Sequence, residues 1–85
     1  MYYGDGTKLK INWEHKRVEH AIERMWLRGV SAREVEEALL KGKKVLQKET
    51  GLVQSIFGRL IVVYDEKIYG EAGIRKVFPV TVKVP

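Results

Sequence analysis

The spacing of apolar residues changes character once along this chain, at Gly42, and that change constrains the fold more than any other feature. Before Gly42, apolar residues recur with the period of a helix. After it, they alternate or run continuously, as in strands. Val18, Ala21, Ile22, Met25 and Trp26 fall at i, i+3, i+4, i+7 and i+8, which predicts a helix over about 14–28 with one apolar stripe. Gly29 supplies a left-handed stop. Ser31 caps a second helix, and Glu34 three residues later completes a capping box. Val35, Ala38 and Leu39 form its buried stripe, and Gly42 ends it. The short connection makes the pair a helical hairpin.

Strands flank this hairpin. From Lys8 to Trp13 the chain alternates, with Leu9, Ile11 and Trp13 on one side and Lys8, Lys10 and Asn12 on the other. Lys44–Glu49 and Leu52–Phe57 flank Thr50-Gly51, a hairpin signal. Arg59–Tyr64 is apolar on both faces, as in a central strand. Asp65-Glu66-Lys67 leads to a short strand around Ile68-Tyr69, and Gly70–Gly73 turns the chain again. The last strand, Ile74–Val84, is expected to place Phe78, Val80, Val82 and Val84 on one face and Thr81 and Lys83 on the other. Pro79 has no N–H to donate, so it marks an edge or a bulge. The expected class is α+β, with an N-terminal strand and a helical hairpin packed on a mostly antiparallel sheet of four to five strands.

All 85 residues are expected to form one domain, with residues 1–6 a frayed terminus where Tyr2 and Tyr3 carry no role. With no Cys, neither a disulfide nor a thiolate metal site is available. His15 and His20, the only histidines, are spaced wrongly for one helical face, so no metal or other cofactor is expected. The N-terminus lacks the apolar run of a signal peptide, and Leu60–Tyr64 is far too short to span a membrane. A cytoplasmic protein is the resulting expectation. The formal net charge of +5 favours a polyanionic partner, either nucleic acid or an acidic protein. Few amides and many Lys, Glu and Arg give a thermophile-like composition.

The polar side of the first helix is sorted by charge. His20, Arg24 and Arg28 follow one another at i, i+4 and i+8, with Arg17 beside them and Glu19 and Glu23 across the helix. Guanidinium forks can hold phosphate oxygens, and an imidazole can move a proton near neutrality. A solvated face of Glu–Arg pairs would have the same spacing. His15 is read as a packed or capping histidine, and Trp13 and Trp26 as core and core rim. Arg59, Arg75 and Lys76 add positive charge near strand ends.

His20-Ala21, Arg24-Met25, Arg28-Gly29-Val30-Ser31, Val35, Ala38-Leu39 and Gly42 together resemble the helical hairpin of a widespread family of small bacterial and archaeal domains. That family is similar to the RelE-like toxins, the BrnT type among them, and to related small ribonucleases. The resemblance covers about residues 14 to 84, with weaker matches at Gly58–Tyr64 and Val80-Thr81-Val82. It implies a RelE-like fold and metal-independent RNA cleavage, in which the substrate 2′-hydroxyl attacks the adjacent phosphate. It implies His20 as the proton-transfer residue, Arg24 as the phosphate clamp and Thr81 as a hydrogen-bonding partner of the phosphate. Arg17, Arg28, Arg59 and Lys76 would bind substrate. One departure is Lys83, where related domains carry an aromatic. Two functional readings stay open: an RNA-cleaving toxin, and a non-catalytic module that binds nucleic acid or an acidic antitoxin-like protein through the same basic surface. A third role, self-association through an uncovered final strand, is a structural alternative.

Overall fold

The computed structural model describes residues 6, 8–14, 16–68 and 74–84, without the side chains of Arg17, Lys67 and Ile68. The expectations for Tyr2, Tyr3, His15, Tyr69 and the Gly70–Gly73 turn lie outside the described residues, as does the side chain of Arg17. In chain order the elements are β1 (Lys8–Ile11), a 3-10 turn (Lys16–Val18), α1 (Glu19–Arg28), α2 (Ala32–Lys41), β2 (Lys43–Leu46), β3 (Val53–Phe57), β4 (Leu60–Ile68) and β5 (Ile74–Lys83). The fold is α+β, with two helices on one face of a five-stranded sheet ordered β1-β5-β4-β3-β2. β1 runs parallel to β5, and the other neighbours are antiparallel. No helix among the described residues is long and apolar enough to cross a membrane.

The first helix begins later than its apolar stripe suggests. Asn12 Oδ1 accepts from the N–H of Glu14 at 3.1 Å, which turns the chain out of β1. The 3-10 turn then leads into α1, and Val18 at the junction offers no side-chain cap. The ends of the hairpin connection follow the sequence closely. Gly29 takes φ +65°, its N–H donates to Trp26 O at 3.4 Å, and the N–H of Val30 donates to Met25 O at 2.9 Å, a Schellman closure. Ser31 Oγ accepts from Glu34 N at 3.2 Å while Glu34 Oε1 accepts from Ser31 N at 3.3 Å, completing the capping box.

The core lies between helices and sheet. Ala21 and Met25 of α1 and Val35, Ala38 and Leu39 of α2 pack on Leu9, Leu60, Val62, Tyr64, Val77 and Val82. Trp13 is half-buried against this cluster, as expected. Trp26 is not at the rim: it is 84% exposed, with Leu27 beside it at 70%. The helical stripe is narrower than the list of apolar residues implied, and α1 turns this flank to solvent.

The strands correct three expectations. The β2–β3 connection is longer than Thr50-Gly51: Gln47 O accepts from Gly51 N at 2.9 Å, and Gln47 N donates to Leu52 O at 2.8 Å. Gly51, at φ +73°, closes this four-residue loop. Asp65-Glu66-Lys67 does not turn the chain, because β4 continues through them to Ile68. The outermost strands of the sheet are β1 and β2, but β1 pairs only with Ile74–Val77 of β5, so beyond Val77 the last strand is paired on its β4 side alone among the described residues. Pro79 sits at a bulge, where the register moves from Val63↔Thr81 to Tyr64↔Pro79 and leaves Val80 as the extra residue. The bulge breaks the expected alternation. Val77, Pro79 and Val82 align with the helix-facing residues of β4, whereas Phe78 pairs with Asp65 on the other face.

Candidate functional site

Cross-strand partners share a face of a sheet, so the register assigns each candidate residue to a side. Leu60, Val62 and Tyr64 pack against the helices, which puts Ile61, Val63 and Asp65 on the face turned away from them. Thr81 pairs with Val63 and therefore lies on that second face, where Val63 and Phe78 are nonetheless buried. His20 and Arg24 lie on the polar side of α1, across the sheet from it, with His20 exposed. The fold therefore does not bring the expected trio of His20, Arg24 and Thr81 together. A whole layer of core stands between the hydroxyl and the imidazole.

The candidate residues instead form three groups. The first is the line on α1. Arg24 Nε donates to His20 Nε2 at 3.5 Å, one helical turn back.

The second group is a groove between the end of α1, the start of α2 and the β3–β4 turn. Arg28 and Arg59 both line it, with Val30, Glu34, Glu37 and Phe57, around a volume of about 340 Å³. The turn is a two-residue connection between paired Phe57 and Leu60, with Gly58 at φ +60° in its first position. Arg59 in the second position does not have positive φ, so the turn has the sense of type II′, with Arg59 at its tip. Local turn chemistry thus places Arg59 beside Arg28, which the Gly29 closure fixes at the end of α1.

The third group is the face of the sheet turned away from the helices. Lys76 pairs with Lys10 across β5 and β1. Lys83 pairs with Ile61, and Lys43 with Ile56, both on the same face. Lys8 completes the set, so five lysines share this face with Thr81, spread from β1 to β2. Asp65 is the one carboxylate among the described residues of this face. The alternation of Lys8 with Lys10 and of Thr81 with Lys83 was the sequence signal for this surface. What the signal lacked was the parallel β1–β5 pairing that merges the two rows.

One polar cluster was not visible in the sequence. Ser55, fully buried in β3, donates to Ala38 O at the end of α2. Lys44 Nζ donates to Ser55 Oγ at 2.9 Å, to Gly42 O at 3.1 Å and to Leu39 O. A cation thus meets the carbonyls that the helix end leaves without partners. Burial holds the Lys44 ammonium below the ordinary lysine range; nearby Glu66 opposes that shift and Arg75 adds to it. Lys44 and Ser55 resemble a nucleophile and base only in composition, because Ser55 is closed to solvent. Their work is to fasten α2 to the sheet.

Comparison of the chain with protein-family models, with curated proteins and with solved structures finds no match in any of the three.

Proposed function

We propose that this chain binds single-stranded RNA without cleaving it, through the face of its sheet turned away from the helices. The observation that carries the reading is the set of five lysines that share this face with Thr81, opposed by the single carboxylate of Asp65 among the described residues. Ammonium groups in rows along neighbouring strands neutralise a phosphate backbone and release its counterions. The Thr81 hydroxyl adds a hydrogen-bond donor within the same field. The resemblance of the helical hairpin to RelE-like domains supports RNA as the polyanion. Cleavage is left out because Thr81, the partner of the phosphate implied by that resemblance, stands on the opposite side of the domain from His20 and Arg24.

The test is fluorescence anisotropy of a mixed single-stranded RNA at increasing salt, with the same RNA checked for cleavage on a gel. The double variant Lys10→Gln/Lys83→Gln is expected to bind more weakly, with a salt slope shallower by about 1.4 for two lost phosphate contacts. His20→Ala and Arg24→Ala are expected to keep most of the affinity, and the RNA to stay intact. Loss of binding in Arg24→Ala but not in the lysine variant would move the interface to α1. Cleavage by the wild type but not by His20→Ala would restore the catalytic reading.

A further inference from the structure

We propose that the groove between Arg28 and Arg59 is a nucleotide subsite selective for guanine. This inference does not depend on the sheet face, because the groove lies on the helix side of the domain. Its lining combines three chemistries within about 340 Å³. Arg28 and Arg59 supply two guanidiniums, the donors best matched to a phosphate. Phe57 supplies an aromatic ring that is 37% exposed, although its strand position faces the helices. Glu34 and Glu37 supply carboxylates from successive turns of α2.

These charges form no direct pair with one another. No ion pair among the described residues joins Arg28 or Arg59 to Glu34 or Glu37. Glu34 uses Oε1 for Ser31, and Glu37 uses Oε1 for Lys41 at 3.4 Å. Each carboxylate keeps its second oxygen outside those bonds. A ligand that satisfies this lining needs an anionic end, a flat apolar body and adjacent N–H donors. Nucleotides offer the first two, since any base can stack on an aromatic ring. Guanine alone among the common bases also presents two neighbouring donors, N1–H and N2–H, to a single carboxylate. Reading a Watson–Crick edge in this way is how unpaired bases are recognised.

The experiment is a titration of the ¹⁵N-labelled full chain with GMP, AMP, UMP and inorganic phosphate, following amide shifts. GMP is expected to move the amides of Gly29, Val30, Arg59 and Leu60 and to bind about tenfold more tightly than AMP or UMP, the lower end of what a bidentate contact to a base edge discriminates. Glu37→Gln is expected to remove that preference and leave AMP binding unchanged. Phe57→Leu is expected to weaken every nucleotide about tenfold and leave inorganic phosphate unaffected. The spectra themselves report whether each variant is folded; if a variant is not, the selectivity of the wild type decides alone. Equal affinity for all nucleotides, phosphate binding as tightly as GMP, shifts confined to other surfaces, or no binding would each overturn the proposal. Failure here would leave RNA binding through the sheet lysines untouched, because that binding is read from the lysine variants.

Discussion

Gly42 shows how one residue can be required for space rather than for backbone freedom. Its φ of −69° is open to any residue. A Cβ built there, however, would collide with Ser55 Oγ and with the Ala38 carbonyl. Neither can retreat easily, since Ser55 is fully buried and Ala38 is helix backbone. Gly42→Ala is therefore expected to destabilise the fold by about 2 kcal/mol, in the range of overpacked sites, as measured by urea unfolding. Lys44, bonded to the same cluster, carries a pH signature. Its folded value lies below the ordinary 10.5, chiefly through burial. Between the lowered value and 10.5, the unfolded chain holds a proton that the folded chain has released, so stability rises with pH across that window. Below the window both states are charged and the burial penalty is fully present. Relative to Lys44→Met, the wild type is thus expected to gain stability as pH climbs toward 10.5. A pH-independent difference between the two proteins would mean that the ammonium is not held down by burial.

At the scale of elements, local signals were legible and lateral ones were not. The left-handed Gly29 and the Ser31–Glu34 box depend on residues a few positions apart, and both form as the sequence indicates. Ser31→Ala should cost about 1 kcal/mol, the usual worth of an N-cap side chain. Trp26 is the contrasting case. Its spacing places it on the apolar stripe of α1, yet spacing cannot say how far round the helix the sheet reaches. Because Trp26 is 84% exposed, Trp26→Ser is expected to change stability by no more than about 0.5 kcal/mol. A loss of several kcal/mol would show that the side chain is covered in solution. Pro79 falls between these cases. The missing donor allowed an edge or a bulge, and the register shift against β4 shows the bulge, just past the stretch of β5 that β1 pairs. Through that bulge Phe78 and Val82, which simple alternation would align, face opposite sides of the sheet.

The whole molecule decides which residues can act together, and here a single fact of topology does most of the sorting. β5 is the second strand of the sheet and α1 packs across it, so the polar side of α1 and the far side of β5 lie on opposite sides of the helix–sheet core. Candidate residues drawn from both elements were one list in the sequence, because a linear motif carries no sidedness. In three dimensions they separate into a helix line, a groove and a sheet face. Energetic coupling reports this separation directly. Residues that share a site couple by roughly 0.5–3 kcal/mol in a double-mutant cycle, whereas distant residues with no shared partner add to within about 0.5 kcal/mol. The cycle of His20→Ala and Thr81→Val, read on affinity for single-stranded RNA, is expected to be additive. The cycle of Lys10→Gln and Thr81→Val, both on the face turned away from the helices, provides the comparison within one face. A coupling of 1 kcal/mol or more between His20 and Thr81 would require one RNA strand, or one conformational change, to bridge the two faces. Additivity would leave the sheet face able to bind RNA without the helix, as the distribution of its lysines suggests.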